Sequence, residues 1–219
     1  LAYFHFGSFI KLSTKKPNIN SQNQLKILSF NVRLFNFYET KESQKNISKM
    51  MASYLNKEQP DILCLQEFNK NIKINFSEYP HHYIHFKNKN ILGHAIYSKH
   101  PLINTHTFNF KDSYNNTIVA DVIKGKDTIR IYNIHLQSFS ILPNMKYLQE
   151  VDNEVLRKRV STRFVKQQNQ VEKILQHKNK SNSPVIISGD FNNTAFSYVY
   201  HQLSKDMNDA FLIAGSDIG

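Results

Sequence analysis

The chain has 219 residues, about 40% of them apolar and including 16 Phe and 11 Tyr, which suits one α/β domain with a single sizeable core. Its one cysteine, Cys64, excludes an internal disulfide framework and sits in the apolar run Asp61-Ile62-Leu63-Cys64-Leu65, as a buried small hydrophobe would. A formal net charge of +11 favours anionic partners, yet the basic residues are scattered among abundant Lys, Asn and Ile, which fits compositional drift better than a dedicated nucleic-acid surface.

The chain opens on the apolar, aromatic stretch Leu1-Ala2-Tyr3-Phe4-His5-Phe6-Gly7-Ser8-Phe9-Ile10, followed by Lys11, Lys15 and Lys16. So short a stretch cannot cross a bilayer, which needs about 20 residues, but aromatics followed by lysines suit a membrane–water boundary. Residues 1–12 therefore read either as the end of a membrane segment or as a first element packed on the domain. Residues 13–24 are polar, contain Pro17 and read as a linker, leaving 25–219 as one domain. Residues 25–30 predict a strand. Ile47, Met50, Met51, Tyr54 and Leu55 recur at helical spacing, and Pro60 closes that helix. Residues 62–65 are apolar on both faces, as a covered strand should be, so strand, helix and strand form one crossover unit. Strands are also expected over 83–86 and 91–98, and a hairpin over 117–123 and 128–136 turning at Lys124-Gly125-Lys126-Asp127. A long helix follows, with Val151, Val155, Leu156, Phe164, Val165, Gln168, Val171, Ile174 and Leu175 on one side. Pro184 then introduces a buried strand over 185–188.

The chemistry is expected where apolar strands end. Phe30 gives way to Asn31, Leu65-Gln66 to Glu67, Ile134 to His135, and Ile187-Ser188-Gly189 to Asp190, with Asn192 just beyond. Ligands of α/β sheets bind outside the carboxyl ends of the strands, and a carboxylate beside an apolar strand is costly unless paired or metal-bound. Each residue alone has a plainer reading: Asn31 as a turn residue, Glu67 as a surface acid, His135 as a core histidine. Their convergence is the informative feature.

Ser29-Phe30-Asn31-Val32-Arg33, Pro60-Asp61-Ile62-Leu63-Cys64-Leu65-Gln66-Glu67, Asn133-Ile134-His135-Leu136 and Ser188-Gly189-Asp190-Phe191-Asn192 stand in the order used by the endonuclease/exonuclease/phosphatase family, which the chain resembles from Leu25 onward. Gly93-His94-Ala95-Ile96-Tyr97-Ser98-Lys99-His100-Pro101 and Asp209-Ala210-Phe211 are similar to further segments of that family. The resemblance implies a four-layer α-β-β-α sandwich of two mixed sheets. It also implies hydrolysis of a phosphodiester or phosphomonoester. Glu67 and Asn31 would hold Mg²⁺, with Mn²⁺ as the alternative ion. Asp190 would activate the water, Asn192 would stabilise phosphoryl charge, and Asn31, Asn192 and His135 would contact the phosphate. His135 resembles the histidine of the deoxyribonuclease I, sphingomyelinase and inositol-phosphatase branches. The substrate is open among nucleic acid, phospholipid and phosphorylated small molecules. The family's closing Ser-Asp-His triplet has no counterpart here, since Ser216-Asp217-Ile218 follows too soon and lacks the histidine. The expectation is therefore a domain without its last strands and with impaired activity, or else a non-catalytic phosphate- or nucleic-acid-binding module. Residues 192–200 and the apolar opening are similar to a bacterial, membrane-associated subgroup, implying membrane association through the N-terminal segment.

Overall fold

The computed structural model describes residues 10–11, 24–71, 74–87, 91–139, 152–215 and 217–218. The proposed membrane segment and linker fall almost wholly outside them. Among the described residues no helix is long and apolar enough to cross a membrane.

After the short strand β1 (Ile10–Lys11), β2 (Ile27–Asn31) leads through a left-handed turn into helix α1 (Lys41–Glu58). Thr40 caps that helix by accepting from Ser43 N at 3.1 Å. Gln59 ends it in the left-handed region at φ 47°, just ahead of Pro60. Then come β3 (Ile62–Asn69), β4 (His81–Phe86), β5 (Leu92–Ser98) and β6 (Leu102–Asn109). The expected hairpin is present as β7 (Asn116–Lys124) and β8 (Asp127–His135), with Gly125 supplying φ +62° at its turn. Helix α2 (Asn153–Lys178), strand β9 (Val185–Asp190), helices α3 (Tyr198–Ser204) and α4 (Ala210–Ala214), and β10 (Asp217–Ile218) complete the order. Strands β1 and β10 pair antiparallel.

Two four-stranded mixed sheets result, ordered β2-β3-β5-β4 and β6-β7-β8-β9. The crossover β2-α1-β3 is parallel, as is β8 with β9 across α2. The sheets face each other through Ile62, Cys64, Ile96, Ile118, Ala120, Val122 and Ile131. Outside the first sheet, Met51 and Leu55 of α1 pack on Leu63, Leu65 and Tyr97. Outside the second, Val171 and Ile174 of α2 and Val199 and Leu203 of α3 pack on Val119, Tyr132 and Ile134. The four-layer α-β-β-α sandwich is thus present, and Cys64 lies buried between its sheets.

The expected apolar face of α2 differs. Val155, Phe164 and Val165 are 53%, 44% and 54% exposed, and Val151 lies outside the described residues. The buried positions of α2 are Gln167, Gln170, Val171 and Ile174. Two glutamines face inward because they bond to loop backbone that the sheet ladder leaves unpaired, a signal that apolar periodicity does not carry.

Candidate active site

Successive side chains of a strand alternate between faces. On the faces turned to the opposite sheet, each row changes from apolar to polar towards one end of the sandwich. The rows run Ile27-Ser29-Asn31 on β2, Ile131-Asn133-His135 on β8 and Ile186-Ser188-Asp190 on β9, while Cys64 leads to Gln66 on β3 and Ile96 to His94 on β5. The interlayer core therefore becomes a polar mouth where these strands end, bringing together Asn31, Glu67, His135 and Asp190.

Glu67 would face α1 if β3 alternated regularly, as Leu63 and Leu65 do. A β-bulge prevents this: Leu65 pairs with Ala95 but Phe68 with Gly93, so two residues of β3 oppose His94 alone. Glu67 adopts φ +51° there, a strained conformation costing about 1–2 kcal/mol for a residue with a Cβ. Its carboxylate is thereby aimed into the mouth. Asn31 Nδ2 donates to Glu67 Oε1 at 3.2 Å and to Asp190 Oδ2 at 2.9 Å, bracing the two acids with one amide. Its own Oδ1 accepts from Arg33 N at 3.0 Å. That bond anchors the turn in which Arg33, Leu34, Phe35 and Asn36 all have positive φ.

His135 Nε2 lies 3.8 Å from both Glu67 Oε1 and Asp190 Oδ2. Burial lowers its pKa, although the Asp190 and Glu67 carboxylates pull the other way. The ring is thus held neutral, able to donate from one nitrogen and accept at the other. Gly189 makes the close approach of β9 to β8 feasible: its φ is +138°, and a Cβ there would lie 1.9 Å from Ile134 O. The next residue along, Asp190, is thereby set opposite His135. Asp190 Oδ1 accepts from Asn192 N at 2.9 Å. Asn192, at φ +49°, donates from Nδ2 to Leu136 O at 2.9 Å, so it sits at the rim with one amide N–H engaged.

Sequence reasoning missed Gln167, Gln170 and the role of His94. Gln167 donates to Gln137 O at 2.7 Å and Asn192 O at 3.2 Å, and accepts from Asn193 Nδ2 at 2.6 Å. Gln170 accepts from Gln137 N at 2.9 Å. Together they tie α2 to the loops leaving β8 and β9. His94 is fully buried, its ring centroid 5.5 Å from that of His135. Burial, and then the neighbouring His135 and His85, hold its pKa well below the usual histidine value. A histidine inside the strand Leu-Gly-His-Ala-Ile-Tyr-Ser was the signal available.

Two half-buried carboxylates share one amide proton donor and face only a neutral imidazole, an arrangement that a cation would balance. Among the described residues no group of three or more His, Cys, Asp or Glu is arranged to hold a metal ion. The oxygen donors present fit a hard cation that keeps several of its waters.

The family profile described as the Endonuclease/Exonuclease/phosphatase family matches residues 28–217. No curated protein sequence matches the chain. Among solved structures, a humanized TDP2 from D. rerio shares 16% identity at a TM-score of 0.58, the match covering 83% of this chain and 70% of that one. Sphingomyelinase C from Streptomyces griseocarneus shares 16% identity at a TM-score of 0.61, covering 84% and 70%. A β-hairpin deletion mutant of beta toxin from Staphylococcus aureus shares 18% identity at a TM-score of 0.59, covering 85% and 74%. At these identities the likeness is one of fold.

Proposed function

The chain belongs to the endonuclease/exonuclease/phosphatase family, and from that premise we propose that it hydrolyses a phosphodiester with the help of a divalent cation. The observation carrying this reading is the convergence of Asn31, Glu67, His135 and Asp190, drawn from both sheets, at one mouth, where Asn31 and His135 each lie within 3.8 Å of both carboxylates.

The residues divide the work by their bonding. Asp190 has one oxygen fixed by Asn192 N and the other by Asn31 Nδ2, both at 2.9 Å, so its orientation is set before substrate arrives. Its remaining lone pairs accept from the attacking water and take the proton as the new P–O bond forms. The ester oxygen leaves with its bonding pair and takes a proton from solvent water, and Asp190 returns its own proton to solvent. Neutral His135 donates a hydrogen bond to a phosphoryl oxygen, and the second amide N–H of Asn192 does the same from the rim. Glu67 would hold Mg²⁺ or Mn²⁺, which supplies positive charge beside the phosphoryl oxygens when bound. Asn31, whose Nδ2 donates to both carboxylates and whose Oδ1 accepts from Arg33 N, would orient the Glu67 carboxylate rather than ligate the ion.

The substrate class is taken from two directions. A D. rerio TDP2 has been solved with a single-strand DNA product, and another relative in fold is a sphingomyelinase. Hydrolysis of bis(p-nitrophenyl) phosphate tests the reaction itself. It should require added Mg²⁺, be quenched by chelation and fall with Glu67→Gln. Calorimetry should find Mg²⁺ binding that Glu67→Gln abolishes, and equal affinity in the variant would sink the assignment. Single-stranded DNA and sphingomyelin vesicles then separate the two substrate classes. The apolar opening followed by lysines supports a further proposal, attachment to a bacterial membrane through that segment. Cell fractionation with and without residues 1–12 tests it.

A further inference from the structure

The bulge that aims Glu67 raises a bonding question at residues 65–68, where the β3–β5 ladder breaks. A bulge locally disrupts the ladder, and hydrogen bonds from outside the sheet can hold the bulged form. Here such a donor comes from the opposite sheet. Asn133 of β8, with 0% exposure, donates from Nδ2 to Leu65 O and to Ala95 O, each at 3.0 Å. Those two carbonyls belong to the last regular pair before the bulge. Its Oδ1 accepts from Gln66 Nε2 at 2.6 Å, the residue immediately before Glu67. Gln66 is itself held, donating also to Ser29 Oγ at 3.1 Å and Cys64 O at 3.0 Å.

We propose that Asn133 is a positioning residue whose side chain locks the Glu67 bulge in its site-facing form. An asparagine amide has two N–H donors and one carbonyl oxygen, and here both donors and the oxygen are engaged within the protein. It offers nothing to substrate and acts through Glu67. The same residue stands two positions before His135 on one inward-facing row, so it also ties the strand carrying the imidazole to the strand carrying the metal carboxylate. Without its amide, Leu65 O and Ala95 O lose a side-chain donor that spans both strands, and Gln66 loses its bond to the opposite sheet. The strained φ of Glu67 then has less to hold it, and the carboxylate can relax from the mouth. No other residue type of similar size supplies two donors and an acceptor from one planar group. Leucine matches the shape but none of the bonds, and serine keeps one donor on a shorter arm.

The inference rests on Glu67 being the ion's carboxylate, and the experiment separates the two ideas. Asn133→Leu and Asn133→Ser are compared with the wild-type chain and with Val119→Ala, a buried change on the opposite face of the same sheet. Mg²⁺ affinity is measured by calorimetry, with the Mg²⁺ dependence of hydrolysis and the thermal midpoint read in parallel. Losing an outer-sphere support of a metal ligand weakens metal binding by about 10–100-fold. We expect that loss in Asn133→Leu, a smaller one in Asn133→Ser, and unchanged Mg²⁺ affinity in Val119→Ala even where it melts as early. Three results overturn the proposal: a folded Asn133 variant within about twofold of wild-type Mg²⁺ affinity, an equal weakening in Val119→Ala, or failure of both Asn133 variants to fold. The last would make the residue a structural one only. Absent Mg²⁺ binding in the wild type, or binding indifferent to Glu67→Gln, removes the reading of Glu67 instead.

Discussion

Adding one methyl group at Gly189 should cost this protein both stability and turnover. The Cβ of Gly189→Ala would stand 1.9 Å from Ile134 O, 2.7 Å from Ile134 N and 2.8 Å from Ile134 C, all of them backbone atoms of β8. Real contacts of this kind stay beyond 3.0 Å, so β9 must retreat by about 1 Å from the strand it pairs with. The residue also holds φ +138°, where an alanine adds about 1–3 kcal/mol of strain. Opening the β8–β9 ladder beside it weakens hydrogen bonds worth about 1 kcal/mol each. The sum is about 3 kcal/mol or more, a fall of about 6–12 °C in Tm for a chain of this size. Because His135 and Asp190 are the next register pair, a shift of that size also spreads the two groups proposed to act on the phosphate, and misplacement by about 1 Å can lower the rate about 10²-fold. Denaturant unfolding and Mg²⁺-dependent hydrolysis of bis(p-nitrophenyl) phosphate measure the two effects. A Gly189→Ala protein as stable and active as wild type would show that the β8–β9 spacing does not set this site.

Asp190→Asn and His135→Ala should each lose about 10²–10⁴-fold in rate while unfolding cooperatively; near-normal turnover in either removes that residue from the mechanism. Gln167→Leu leaves Gln137 O and Asn193 without their partner and should cost about 1–3 kcal/mol together with a lower kcat. A kcat unchanged in the folded variant would mean the loops hold Asn192 without it. Asp121, buried and bonded to Arg130 Nε at 2.7 Å and Nη2 at 2.8 Å, should cost about 3–5 kcal/mol when replaced by Ala, read from the denaturant midpoint. The pH dependence has a definite sign. Burial depresses the pKa of His94, and of His177, where the nearby His106 and Arg130 add to it. Unfolded histidines then take up protons that the folded ones refuse, so stability is full above about pH 6.5 and declines as pH falls below it. His94→Met should flatten that decline, and parallel unfolding curves for the two proteins at about pH 7.5 and 5.5 would contradict the sign.

The site was largely legible because its chemistry interrupts hydrophobic runs. Asn31, His135 and Asp190 close their strands as expected, whereas Glu67 follows an apolar run in a strand that continues past a bulge to Asn69, and the structure gathers all four. The means of gathering them were less visible. Nothing in Leu65-Gln66-Glu67-Phe68 announces that Glu67 will take a positive φ, since the bulge depends on Gly93 and His94 across the ladder and Asn133 across the core. The strand Leu102–Asn109 escaped prediction because it is an edge strand whose side chains are largely exposed, so its sequence lacks a buried alternation. On α2 the apolar residues counted towards a core face include exposed ones, while the inward Gln167 and Gln170 carry no hydrophobic signal.

The brace between Asn31 and Asp190 joins residues 159 positions apart. A ribosome adding about 5–20 residues per second needs about 8–32 s to travel that distance. Until β7 and β8 are made, Ile62, Cys64 and Ile96 of the first sheet lack the residues that cover them and Glu67 lacks His135, and Asp190 joins only with β9. The candidate site is therefore among the last features a newly made chain can assemble, and the apolar face of the first sheet stays open to association until β7 and β8 emerge.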